Sequence, residues 1–489
     1  MTIQTPDWVK HAVFYQIFPD RFARVVPTDE APTNYVPLEA WDAPPTLRGY
    51  KGGNLWGVID RLDYLQDLGI NAIYFTPIFQ STSNHRYHTH DYYRIDPLLG
   101  GDRAFDALLT AAHDRQIRII LDGVFNHAGR GFFYFNDILE NGRQSPWVDW
   151  FYIEDWQLSA YDDRLPANYQ GWAGNRALPV FNHNTPQARE YLMQVGEYWI
   201  RRGIDGWRLD VPFEVKAEGF WQEFRQRIKA INPEAYIVGE VWEDASAWLD
   251  GTQFDGVMNY PLTAATIAFT GGDRVLMDQV EDRSYEPYPA LNAHEYAHRV
   301  KELVHQHDWQ IQLAQLNLLD SHDTARLLSI VGGDRSTVRL ATLLMFAMPG
   351  APCVYYGDEI GMKGTIDPDC RSGFLPEDQW ELEVLDYHRR LIALRHQYEA
   401  LRVGSYKELG AKKELFVFAR QLEREGTTPE TLIIAVNAGE TPVDEHVPIG
   451  DLTVHPSRVV YGEGQATWEP GADKLHLSLP ARQGIVLAE

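Results

Sequence analysis

Four short clusters of acid, histidine and arginine side chains carry the chemistry this sequence could perform. They are Asp122-Gly-Val-Phe-Asn126-His127, Arg208-Leu-Asp210, Glu240-Val-Trp242 and Asp320-Ser-His322-Asp323. The second is the most informative. The apolar run from Ile204 to Leu209 reads as a buried strand, and alternate side chains of a strand share a face. Arg208 and Asp210 therefore point the same way, and a guanidinium beside a carboxylate keeps the acid ionised. Such an aspartate at a strand end is a candidate nucleophile. Alone, the pair would read as an ordinary structural ion pair, so the weight rests on the other clusters. Glu240 lies between Val238 and Trp242, an apolar setting that raises a carboxyl pKa and suits a general acid. Two such carboxylates with a third assisting fit glycoside hydrolysis. Asp210 attacks the sugar, Glu240 protonates the departing oxygen, and Asp323 stabilises positive charge in the transition state. His127 and His322 donate hydrogen bonds to sugar hydroxyls, although for each alone a structural imidazole is an equally good reading. Asp122 braces its neighbours.

The clusters matter because of the elements that carry them. Predicted strands cover 12–18, 71–75, 117–122, 204–209, 235–239, 254–258, 315–319 and 353–356. Helical spacing appears over 55–68, 102–115, 187–202, 219–231, near Ser246, 261–270, 294–313, 336–346 and 382–398. A polar, Pro-rich loop follows the first strand to about Gly53. Eight strands alternating with helices suggest an α/β fold, a closed (β/α)8 TIM barrel, with an open doubly wound sheet as the alternative. Barrel enzymes place their chemistry at the C-terminal ends of the strands, and all four clusters occupy such ends. Residues 125–184 have no clear period and are too long for a simple loop, so they predict a subdomain inserted after strand three. Short strands from Arg402 onward, among them those beginning at Phe416, Thr431, Arg458 and Lys474, predict a C-terminal all-β sandwich. The expected division is 1–124 and 185–401 for the barrel, 125–184 for the insert and 402–489 for the sandwich.

Composition narrows the function classes. The 489 residues include 44 basic and 69 acidic side chains, a net charge of −25, which disfavours nucleic acid or an anionic membrane as partner. Fifteen Trp and 25 Tyr supply flat rings for stacking. Two cysteines, Cys353 and Cys370, rule out a disulfide framework. The first residues lack the apolar core of a signal peptide, and no apolar run has membrane-spanning length. A cytoplasmic location is the expectation.

The four clusters, in order and spacing, resemble the signature regions of the α-amylase family of glycoside hydrolases (family 13), and the likeness extends over residues 12–400. It implies a retaining, double-displacement mechanism on α-glucans, with Asp210 as nucleophile, Glu240 as acid/base and Asp323 as transition-state stabiliser. His127, Arg208 and His322 fall on the family's substrate-binding positions. Finer features are similar to the neopullulanase, cyclomaltodextrinase and maltogenic amylase group. Ala177-Leu-Pro-Val-Phe-Asn182 resembles its fifth signature region. Asn84-His85-Arg-Tyr87-His-Thr-His-Asp91-Tyr92 resembles its motif after strand two, which implies that Tyr87 stacks on the first glycone sugar. Asp367-Pro-Asp-Cys-Arg371 resembles its D-P-D-N-R, which implies that Asp367 and Arg371 hold the second glycone sugar. Read without the resemblance, those two form an ordinary loop ion pair worth little.

The sequence departs from the group at several positions, most of them on the leaving-group side. Pro212-Phe213-Glu214 stands where the group has Ala-Asn-Glu, Glu243 where a histidine is common, and Cys370 replaces the asparagine of D-P-D-N-R. Phe213, Glu214, Trp242 and Glu243 are expected to face the leaving group. Their change points towards branched substrates, with α-1,6 cleavage beside α-1,4, as in debranching enzymes related to the group. The first strand begins near residue 12, without the group's N-terminal β-domain, so the oligomeric state stays open. Asn126 matches a frequent calcium ligand of the family, but no set of six to eight oxygens assembles around it. No metal and no organic cofactor is expected to be required. The rival readings are a glucan transferase or isomerase of the same family and a noncatalytic sugar-binding protein. The second would be expected to lose a catalytic carboxylate, and none is lost.

Overall fold

The computed structural model describes residues 3–489 except 28–35, 282, 284, 424, 427, 451, 453 and 469–472. Residues 28–35 belong to the predicted loop after the first strand, and that part of it lies outside the described residues. The eight barrel strands are β1 Phe14–Ile17, β2 Ala72–Phe75, β3 Arg118–Gly123, β4 Gly206–Leu209, β5 Tyr236–Gly239, β6 Gly256–Val257, β7 Leu316–Asn317 and β8 Ala351–Tyr355. They pair in the order β6-β5-β4-β3-β2-β1-β8-β7, all parallel. A parallel bridge between Met258 and Leu316 joins the two ends of the sheet, which settles closure in favour of the barrel. In β1, β2 and β4–β8 every residue is buried, as expected of strands covered on both faces.

The seam between β6 and β7 is narrower than the sequence suggests, because side chains take over part of the ladder. Across this seam Gln315 accepts from the Val257 amide and Asn259 Nδ2 donates to Asn317 Oδ1 at 2.9 Å, while on the other side of β6 Asp255 accepts from the Ile237 amide of β5. Predicted strands of five residues therefore shorten to two each.

The helices follow their sequence signals with three differences. Pro186–Arg202 starts with proline in its first turn and stops at Gly203, whose φ of 110° suits only glycine comfortably. The stretch predicted as one helix over 55–68 divides at Arg61 into Leu55–Asp60 and Leu62–Leu68. The stretch over 294–313 divides into Ala293–His305, opened by an Asn292/Glu295 capping box, and Trp309–Leu313, capped by Asp308. Near Ser246 there is no helix. Asp244 accepts from both the amide and the hydroxyl of Ser246 and folds that segment into turns.

The stretch after β3 holds one α-helix, Phe133–Asn141, and an aromatic cluster in which Phe135, Phe151 and Phe181 are buried. An isolated bridge ties His127 to Val180, so the stretch lies across the mouth of β3. Beyond the barrel, a five-stranded and a three-stranded antiparallel sheet enclose Val417, Ile433, Leu475 and Leu477. Arg420 donates to the Ala347 carbonyl and Arg482 to the Thr270 carbonyl, which pins these sheets to the barrel. Among the described residues no helix is long and apolar enough to cross a membrane.

Candidate active site

The parallel register places the strand ends side by side. Asp122 at the end of β3 pairs with Arg208 of β4, and Leu209 pairs with Gly239 of β5. Three carboxylates thereby converge on one guanidinium. Arg208 Nη1 donates to both oxygens of Asp122 at 3.0 Å and to Asp210 Oδ1 at 3.1 Å. Its Nη2 lies 2.9 Å from Glu240 Oε2, an ion pair whose angle does not make a hydrogen bond. Burial opposes the charge of Arg208, and Asp122 and Glu240 outweigh it.

This arrangement corrects the expectation that Arg208 holds Asp210 ionised as a private partner. Burial, and then the charge of Glu240, push the Asp210 pKa up against the pull of Arg208. Burial likewise raises Glu240, opposed by Arg208. One cation shared among three buried acids leaves the cluster able to retain a proton.

Glu240 is held from two sides. Trp242 Nε1 donates to its Oε1 at 3.0 Å, and the Val211 amide donates to its Oε2 at 3.0 Å. The second bond depends on an unusual backbone. Val211 has φ 36° and ψ 51°, a left-handed conformation that costs a β-branched residue about 1–3 kcal/mol. The strain immediately follows Asp210 and aims an N–H at the second acid. Trp242 is fixed in turn by stacking on Tyr260, with centroids 3.7 Å apart and planes 6° apart.

Tyr87 and His322 close the other side of the cup. Tyr74 and Tyr87 each donate a phenol hydrogen to Asp122 Oδ2 at 2.9 Å. Gln16 Nε2 lies 2.8 Å from His322 Nδ1, which assigns the imidazole proton to Nε2. Nε2 then donates to the Tyr87 oxygen at 2.5 Å and lies 3.2 Å from Asp323 Oδ2. Burial, with Arg371 and Arg208 nearby, holds the His322 pKa well below its usual value, so the ring is neutral. Arg371 lies 3.3 Å from Asp323 and 3.1 Å from Asp367 and donates to the His322 carbonyl.

His127 stacks on Trp172, with centroids 5.2 Å apart. Its pKa is lowered to about 3 by burial, and its buried Nε2 has no partner. That nitrogen is available to a sugar hydroxyl. Phe213 and Glu214 do not join the network. They lie in a single turn, Pro212–Glu214, with Phe213 half-buried and Glu214 exposed. Gln16, Tyr74, Val211 and Trp172 are parts of the site that the sequence reading missed. Gln16 and Tyr74 were findable, since both stand near the ends of the first two barrel strands. Asn126 Oδ1 is buried without a partner, but among the described residues no three His, Cys, Asp or Glu gather to hold a metal ion.

The chain is similar to known proteins over its whole length. The family model for the alpha amylase catalytic domain matches residues 16–381. The chain is similar to the native-form structure of the Nostoc punctiforme debranching enzyme, with 60% identity, a TM-score of 0.94 and 100% of both chains covered. It is 44% identical to a cyclomaltodextrinase of Geobacillus thermopakistaniensis, across 99% of this chain and 78% of the relative. It also superimposes, at 35% identity and a TM-score of 0.85 over 100% of both chains, on the cyclic α-maltosyl-(1→6)-maltose hydrolase of Arthrobacter globiformis in complex with that sugar. With these likenesses spanning the barrel and its acidic cup, the chain belongs to the α-amylase family of glycoside hydrolases.

Proposed function

We propose that this glycoside hydrolase cleaves short and branched α-glucans by retaining double displacement, with α-1,6 branch bonds among its targets. Asp210 attacks the anomeric carbon and forms the glucosyl-enzyme. Glu240 first protonates the leaving oxygen and then, as carboxylate, activates the hydrolytic water. Asp323 faces the positive charge that develops on the ring. The single observation that carries this reading is the Arg208 cluster, which gathers Asp210 and Glu240 on one guanidinium in a buried cup. His127, neutral and with its Nε2 unpartnered, donates to a hydroxyl of the first glycone sugar beside Tyr87. His322, expected to do the same, instead spends its one N–H on Tyr87 and positions that ring, and Asp367 with Arg371 grips the second sugar. Phe213, Glu214 and Trp242 flank the leaving-group side.

The α-1,6 assignment draws on the 60% identity with the Nostoc debranching enzyme and on the replacement at Pro212–Glu214. The cyclomaltodextrinase relative favours α-1,4 cleavage of small glucans as a second activity. We further infer a division into a barrel (1–124 and 185–401), an insert (125–184) and a C-terminal sandwich (402–489), and a cytoplasmic location. Incubation with pullulan, a cyclodextrin and a branched maltooligosaccharide, followed by product identification, tests the reading. Release of linear chains from the branched substrate is expected. Products longer than the substrates as the main outcome would instead assign a transferase.

A further inference from the structure

A cleft of about 590 Å³ lies beyond Trp242, between the loop after β5, the helix Tyr260–Gly271 and the helix Ala293–His305. Its size falls within the range of roughly 300–1,000 Å³ that takes a small-molecule ligand. Three aromatic side chains line it: Trp242, Tyr285 and Tyr288. Tyr288 is 55% exposed, so a face of its ring is open to a ligand in the cleft. The helix Tyr260–Gly271 contributes only Pro261 and small side chains at Ala264, Ala265 and Ala268, which keeps that side of the space open.

The chemistry of the lining narrows the occupant. Arg283 and Arg299 stand among Glu243, Asp244 and Glu286, so the charges nearly balance and a strongly charged ligand finds little field to draw it. Aromatic faces beside planar ionic groups suit a neutral polyol with one apolar face, which is the character of a glucosyl unit. The position supplies its direction. Trp242 belongs to both places, since its indole N–H donates to Glu240 Oε1 while its ring lines the cleft. A proton donor stands on the leaving-group side of the bond it breaks, so a cleft that continues from Glu240 through Trp242 receives what the leaving oxygen is attached to.

We propose that this cleft is a distal acceptor-side site that holds the α-1,4-glucan main chain continuing beyond the branch point, by two or more glucosyl units. The assignment rests on the reading of Glu240 as proton donor. Tyr288 offers its exposed stacking face, the buried Tyr285 backs Trp242 from within, and the preset Trp242 ring couples the cleft to the bond being cut.

The test compares a substrate with a short leaving group, maltotriose, with a branched dextrin whose main chain extends several units past the branch. Tyr288→Ala, at an exposed position, is expected to raise KM for the branched dextrin about five- to tenfold. Turnover of maltotriose is expected to stay within about twofold. Ala264→Trp narrows the cleft from the opposite wall and is expected to give the same split. Equal effects on both substrates, or none on either, would overturn the site. If the parent enzyme cleaves neither substrate, the proposed function fails separately. Calorimetric binding of maltoheptaose to the parent and to Tyr288→Ala then still reads the cleft, and equal affinities would refute it.

Discussion

The rings of Tyr87 and His322 lie parallel, 2° apart with centroids separated by 5.5 Å, and the phenol oxygen sits 2.5 Å from Nε2. Tyr87 thereby passes a hydrogen bond from a neutral imidazole to the buried carboxylate of Asp122. Removing the hydroxyl leaves the ring in place and cuts the relay. Tyr87→Phe is expected to lower kcat/KM by about 10- to 100-fold, the cost of losing a hydrogen bond to a charged group. Steady-state kinetics with the fold checked by circular dichroism decides it. Unchanged kinetics would reduce the hydroxyl to packing.

The proposed acid/base role makes Glu240→Gln a selective lesion. For sugars with poor leaving groups, kcat is expected to fall by about 10²–10⁴-fold. With α-maltosyl fluoride, whose departure needs little protonation, formation of the glycosyl-enzyme is expected to persist. Asp210→Asn loses both reactions. A Glu240→Gln enzyme as active as the parent on maltotriose would refute the assignment.

Trp242 tunes the same acid. Its N–H stabilises the Glu240 carboxylate and lowers a pKa that burial raises. Activity requires Glu240 protonated, so it declines as pH rises through that pKa. Trp242→Phe removes the donor, the pKa rises, and the alkaline limb of the kcat/KM profile moves up by about 0.5–1 pH unit. A shift to lower pH would contradict the geometry.

Acid sensitivity of the fold has a separate origin. His388 is buried in the helix Leu382–Gln397, where burial lowers its pKa to about 4. The unfolded chain takes up a proton near pH 6.5 that the folded chain refuses until about 4. Stability from this group is complete above pH 6.5 and declines as pH falls, by on the order of 2 kcal/mol at pH 5. His388→Gln is expected to flatten the drop in Tm between pH 6.5 and 5. The flattening is partial, because His183, lowered to about 4 by burial, remains.

What the sequence conveyed, and what it withheld, follows from range. Eight apolar runs and their helices were legible because burial on both faces writes itself into consecutive residues, as at Tyr236–Gly239. Arg61 and the two-residue β6 and β7 were not, since their limits depend on partners such as Gln315, 58 positions away from Val257. In the C-terminal sheets, Ser405–Lys412 and Val443–Pro448 escaped notice because their exposed faces carry charge. At the site, the types and order of Asp210, Glu240 and His322 were readable. The sharing of Arg208 was not, because Asp122 comes from the neighbouring strand through register. Nothing local marks Trp172 as the ring beneath His127.

The narrow seam of the barrel has a consequence of its own. Of the eight joints in this hoop, the one at Met258–Leu316 is a clasp of a single bridge with amide side chains beside it. Tyr260 stands two residues past that clasp, and Trp242 lies flat on Tyr260. The ring that hydrogen-bonds Glu240 thus leans on the joint with the fewest backbone bonds, while the Arg208 cluster sits among the longer ladders of β3, β4 and β5. Asp210 is thereby braced by the many-runged side of the barrel, and the Trp242 partner of Glu240 by the side with a single rung.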